Sequence, residues 1–161
     1  MREYSNKEQV SFDDILLVPQ VSDIKSRKNV SLSTILGDGL ELDFPIIAAP
    51  MDTVCEAGMA LAMSNYGGLG IIHRYMPIEE QASMVEMVRQ ANAVVGGSVG
   101  ATGSFLEDAG QLVNAGATLV LVDVANGHSH HAINAVSALR EEFGESLHIM
   151  AGNVATWDGF A

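Results

Sequence analysis

Short apolar runs of β type alternate with helical patterns along this chain, and each run ends in a polar or glycine-rich tip. From Phe44 onward the runs are Ile46-Ile47-Ala48-Ala49, Leu69-Gly70-Ile71-Ile72, Val94 to Gly100, Leu119-Val120-Leu121-Val122 and Leu147 to Ala151. Continuous apolar runs of this length predict strands buried on both faces, as in a parallel sheet. The first intervening helix is predicted to start at an Asp52-Thr53 cap. It runs through Ala57, Met59, Ala60, Leu61 and Met63 to a Gly67-Gly68 stop. The second opens at Pro77, with Glu79-Glu80 near the positive end of the helix dipole and a stripe of Ile78, Ala82, Val85 and Val88. A third is predicted over 104–115, closed by Gly116, and a fourth over 131–143, closed by Gly144; Thr156-Trp157-Asp158 opens a fifth.

Strand, tip, helix and strand again predict a parallel α/β enzyme whose site lies at the strand C-termini. The tips are Ala49-Pro50-Met51-Asp52, His73-Arg74, Gly96-Gly97-Ser98, Asp123 to His128 and Gly152-Asn153. Residues 1–43 read as an N-terminal arm, and 44–161 as an α/β region whose pattern stops after about five units. In the arm, Lys25-Ser26-Arg27-Lys28 is the one basic cluster, a solvated face or a phosphate or partner contact.

Composition narrows the classes. With 161 residues, 48% of them hydrophobic, the chain has apolar mass for one core. A net charge of -12 argues against a nucleic-acid or anionic-membrane binder but not against one phosphate held by backbone N–H groups. The single cysteine, Cys55, excludes an internal disulfide and reads as a buried structural thiol in the first helix. No leader or apolar run of about 20 residues is present, so no membrane contact and a cytoplasmic location are expected.

Asp123 is the strongest candidate for chemistry. A carboxylate directly after a four-residue apolar strand faces the ligand crevice, where ribose hydroxyls are its natural partners; a helix cap or turn is the alternative. Asn153 has the same placement, and its amide both donates and accepts. Met51 offers an apolar platform for a flat ring, whereas the other methionines read as core filler on helical faces. His73 ends the second strand, as a site or a structural residue. His128, His130 and His131 lack the spacing of a zinc site, so no metal is expected. The glycines at 96, 97 and 100 let a backbone or ligand come close but form no dinucleotide fingerprint.

Taken in order, the tips resemble the IMP dehydrogenase / GMP reductase family over nearly the whole chain. The resemblance rests on Phe12 to Pro19, Ala48 to Val54, Gly67 to Arg74, Asp123 to Ser129 and Ala151 to Thr156. It implies a (β/α)8 barrel, here about its first five βα units, usually assembled as homo-oligomers. It also implies a purine nucleotide, IMP or GMP, as substrate and NAD or NADP as cofactor. In the dehydrogenases a cysteine bonds to the purine C2, hydride passes to NAD, and hydrolysis gives XMP. In the reductases NADPH delivers hydride to GMP and ammonia is lost to give IMP.

Carried over by position, the resemblance puts Met51 on the purine ring, Asp123 on the nicotinamide riboside and Asn153 between nucleotide and cofactor. Ala49 stands where many dehydrogenases carry a serine near the nucleotide. Cys55 does not match the nucleophile, so no catalytic residue is expected in this chain; that loop and the monovalent-cation site would lie beyond Ala161. The second helix runs almost directly into Val94, leaving no room for the regulatory insertion of most dehydrogenases. Pro50, the run from Gly67 to Arg74 and Ile78 to Gln81 look more like a dehydrogenase; Asp123 to Gly127 and the missing insertion look more like a reductase. Arg74 stands where reductases often carry lysine. The balance favours an IMP-dehydrogenase-related chain, inactive by itself. The third reading is a non-catalytic half-barrel that only self-associates, because five strands leave two open edges.

Overall fold

The computed structural model describes residues 11–37 and 39–161. By internal contacts the chain divides into two units, Met1–Ser31 and Leu32–Ala161. In the first, single 3₁₀ turns occupy Phe12–Asp14 and Arg27–Asn29. Ser11 donates its N–H (2.8 Å) and its hydroxyl (2.9 Å) to the Asp14 carboxylate, which holds that carboxyl below its ordinary value. Lys25, Arg27 and Lys28 are exposed.

The second unit opens with an antiparallel hairpin, β1 (Thr34–Ile35) and β2 (Glu41–Leu42). A five-stranded parallel sheet follows: β3 (Ile47–Ala48), β4 (Leu69–Ile72), β5 (Val95–Val99), β6 (Leu119–Asp123) and β7 (His148–Gly152). Each strand pairs with the next in sequence, and helices alternate with them. The helices are α1 (Ala57–Asn65), α2 (Ile78–Gln90), α3 (Phe105–Asn114), α4 (His130–Phe143) and α5 (Trp157–Phe160). This is the curled partial (β/α)8 barrel that the alternating pattern and the resemblance predicted.

Alternation along the strands divides the core in two. Ile72, Val95, Val99, Val120 and Val122 face the helices and pack with Val85, Val88, Leu112 and Leu139. Leu69, Ile71, Leu119 and Leu121 face the other way, where Leu36, Leu40 and Leu42 from the hairpin region cover them. Leu36, Leu40 and Leu42, read from sequence as part of the arm, therefore pack with the barrel strands. Full burial of each such side chain contributes roughly 1.5–3 kcal/mol.

Several local expectations change. The Asp52-Thr53 cap is not formed: the N–H groups of Val54 and Cys55 both turn back to the Met51 carbonyl, and Glu56 is the cap residue of α1. Cys55 accordingly precedes α1 rather than lying in it. Met59 and Met87 point outward instead of filling the core, while Met63, Met76 and Met84 pack against it. The glycines of β5 make room for protein, not ligand. A β-carbon on Gly97 would stand 2.9 Å from the Leu112 side chain, so the gap is filled by α3. Gln81, outside the predicted apolar stripe, is only 2% exposed.

Candidate functional site

Parallel register brings the strand C-termini to one end of the sheet. Val99 lies beside Val122, and Asp123 beside Gly152. The β6 and β7 tips then bond to each other through backbone alone. Val124 N–H donates to the Gly152 carbonyl (2.9 Å), Asn153 N–H to the Val124 carbonyl (2.7 Å), and Gly127 N–H to the Asn153 carbonyl (2.8 Å). Asp123 and Asn153 are thereby held on neighbouring tips around a cavity of about 330 Å³, which Arg74, Tyr75 and Val124 also line.

Asp123 does not cap a helix; Ser129 does that for α4, its hydroxyl accepting from Ala132 N–H at 3.3 Å. The Asp123 carboxylate instead faces Arg74, with Oδ2 4.0 Å from Nε, and Arg74 Nη2 donates to the Asp123 carbonyl at 3.4 Å. Both groups are partly solvated, so the pair is long and weak.

A second cavity, of about 600 Å³, opens above β5, between the strand tips and the starts of α2, α3 and α4. Apolar Met76, Ile78 and Val99 line it together with hydroxyl-bearing Ser98, Thr102, Ser104 and Ser129, the Asn126 amide and His131. A concave, partly apolar space with a few convergent polar groups suits a small organic ligand.

Gln81 is the residue of this site that sequence reasoning missed. Its Nε2 donates to the Ile72 carbonyl (3.1 Å) and the Ser98 carbonyl (2.9 Å), and Ser98 Oγ also donates to the Ile72 carbonyl at 3.1 Å. The amide ties the ends of β4 and β5 together under the larger cavity. Following two glutamates in a helix's first turn, it reads as surface, and nothing in the local pattern marks it as buried.

His73 is buried. Its Nδ1 accepts the Tyr75 N–H at 3.1 Å, and its Nε2 lies 3.6 Å from Glu56 Oε1. It is a structural anchor for the turn that carries Arg74. Cys55 is completely buried, and desolvation pushes its thiol up to about 11 against a weaker opposing hydrogen bond from the Ile71 backbone. Ala49 and Met51 sit after β3, at the opposite edge of the sheet from β7, and line neither cavity. Met51 is half exposed. His128, His130 and His131 are all exposed. Among the described residues, no three His, Cys, Asp or Glu side chains are grouped to hold a metal ion, and no helix is long and apolar enough to cross a membrane.

The IMP dehydrogenase / GMP reductase domain profile matches residues 9–161. Inosine-5'-monophosphate dehydrogenase of Nitrosopumilus maritimus is 47% identical over 89 residues, covering 55% of this chain and 19% of that protein. The enzyme of the same name from Staphylococcus aureus (strain Mu50 / ATCC 700699) is 50% identical over 90 residues, 55% of this chain and 18% of its own. GMP reductase of Leishmania donovani is 48% identical over 86 residues, 53% of this chain and 18% of its own. The matched stretch thus spans under a fifth of each of these relatives. Relatives of both activities match at the same level, while the profile takes in the arm and all five strand tips; the chain belongs to the IMP dehydrogenase / GMP reductase family of oxidoreductases.

Proposed function

We propose that this chain forms the nucleotide- and cofactor-facing first half of a barrel that oxidises IMP with NAD. The observation that carries the reading is the pairing of Asp123 with Asn153 around one cavity at the strand tips. A carboxylate there suits the hydroxyls of the nicotinamide ribose, and an amide that donates and accepts suits the boundary between cofactor and purine. Ala49 and Met51, on the tip after β3, are the proposed nucleotide contacts, with the Met51 side chain as the platform for the ring. The cofactor, when bound, supplies the hydride acceptor; the residues of this chain bind and orient. Cys55 is not the nucleophile, because it is buried and its thiol is held protonated well above neutral pH.

A second reading, GMP reduction with NADPH, is favoured by one observation: only residues 91–94 connect α2 to β5. Binding and turnover decide between the readings. IMP with NAD, and GMP with NADPH, are titrated into the purified chain and its Asp123→Ala and Asn153→Ala variants. Binding of IMP and NAD with no turnover above background is expected, NAD weakened about tenfold by each variant and IMP by Asn153→Ala alone. Preferential binding of GMP and NADPH selects the reductase, and turnover by this chain overturns the assignment of no nucleophile. Absence of binding by any of the four ligands sinks both readings and leaves the half-barrel that only self-associates. We propose self-association in either case, through the open edges at β3 and β7 and the exposed Trp157 and Phe160. A monomer in sedimentation at micromolar concentration would contradict it.

A further inference from the structure

Arg74 stands at the divide between the two cavities. It and Val124 line both, so any ligand that reaches from one into the other must pass over them. The guanidinium spans two strand tips: Nη2 donates to the Asp123 carbonyl at the end of β6, and Nη1 lies 3.7 Å from where a β-carbon on Gly100 would stand after β5. Its Cζ lies 5.4 Å from the Tyr75 ring centre. Among the described residues the Asp123 carbonyl is its one hydrogen-bond acceptor, at 3.4 Å, and its side chain is 37% exposed. Most of its five donors are therefore available to a ligand. Of the residues lining the two cavities, it is also the one that carries positive charge at every physiological pH.

We infer that Arg74 is the specificity determinant that reads the bridging diphosphate of a dinucleotide laid across both cavities. The inference rests on the dinucleotide reading above. Such a ligand is two nucleosides joined through two anionic phosphates, and with one nucleoside in each cavity its charged middle falls at Arg74. The smaller cavity offers Asp123 and Asn153 to one nucleoside; the larger offers hydroxyls, the Asp108 carboxylate and apolar wall to the other. A planar fork matches two phosphate oxygens at once, as a lysine's point charge does not. Binding becomes a partner exchange. Phosphate takes the guanidinium, and the Asp123 carboxylate, released from its long 4.0 Å contact, turns to ribose hydroxyls. Neither charge is left without a partner, and in a chain of net charge -12 a local cation at this point favours an anion that the rest of the chain would repel.

Calorimetric titration of the whole chain with NAD and with nicotinamide riboside, which lacks the diphosphate, tests the inference in Arg74→Gln and Arg74→Lys. The glutamine variant should lose about tenfold or more in affinity for NAD and the lysine variant less, since charge-assisted hydrogen bonds are lost in part or whole. Affinity for the riboside should stay within about twofold, which also reports that the variants are folded. Unchanged NAD affinity in Arg74→Gln, or equal losses for both ligands, would overturn the role of Arg74 alone. Failure of the unmodified chain to bind NAD would remove the dinucleotide reading itself, and this inference with it.

Discussion

Gly70 and Ala60 meet with no room for a side chain between them: a β-carbon on Gly70 would lie 2.4 Å from the Ala60 Cα and 2.7 Å from its Cβ. This contact lets α1 lie directly on β4, and it closes the space over the Cys55 sulfur, 3.2 Å from the same point. The obstacle is backbone, so it cannot swing aside. Gly70→Ala should cost about 3 kcal/mol, at the upper end of overpacking. Urea unfolding followed by circular dichroism measures it, and a loss below about 1 kcal/mol would show that α1 can lift off the strand.

Gln81 holds the Ser98 and Ile72 carbonyls with one amide group. Gln81→Leu keeps the volume and removes the donors, leaving the Ser98 carbonyl short of its partner. A loss of about 1–3 kcal/mol is expected. Gln81→Glu should be the harsher change at neutral pH, because a carboxylate would then face two carbonyl oxygens. Equal stability of the two variants would contradict that ordering.

Burial raises the Cys55 thiol from its ordinary value of 9.0 to about 11. At pH 8 its thiolate fraction is therefore about a hundredfold lower folded than unfolded. Disulfide-exchange reagents should label it slowly in buffer and rapidly in denaturant. The linkage sign follows from proton counts. Between pH 9 and 11 the unfolded thiol has released its proton while the folded one keeps it, so stability falls as pH rises through that window. Cys55→Ala should remove that alkaline slope; an identical slope in the variant would assign it to other groups.

Gly127 donates its N–H to the Asn153 carbonyl, and a β-carbon there would stand 3.0 Å from that oxygen and 3.1 Å from Val154 Cγ1. Gly127→Val should push the β7 tip away from the β6 tip, costing about 1–3 kcal/mol. Dinucleotide affinity should fall with it, while the β4–β5 end stays intact. Amide hydrogen exchange localised to residues 123–128 and 152–156 is the expected signature. Protection lost across all five strands would mean instead that the two tips hold the sheet together.

Strand β4 was legible residue for residue because it is buried on both faces, which leaves a continuous apolar run between glycines and a histidine. Asp123 was legible as a strand-end carboxylate for the same reason, since an apolar strand has no other use for it. Its partner was not. Arg74 follows β4, two strands away, and only the curvature and register of the sheet bring its guanidinium to β6. Gln81 escaped because a buried amide and a surface amide look the same in a helical pattern; what distinguishes them is the pair of carbonyls waiting on two other strands. Gly97 was legible only as a place of close approach, because absence of a side chain does not say what comes close, and here it is the Leu112 side chain.

The sequence by itself determined the order of strands and helices, the end of the sheet where the polar tips gather, and the family, because periodicity, turn residues and tip motifs are local properties of the chain. Tertiary structure alone decided which polar groups are buried, that Asp123 and Asn153 share a cavity while Ala49 and Met51 do not line it, and that Arg74 parts two cavities. Those outcomes depend on desolvation and on hydrogen-bond partners supplied by segments far away along the chain, and no window of neighbouring residues contains them.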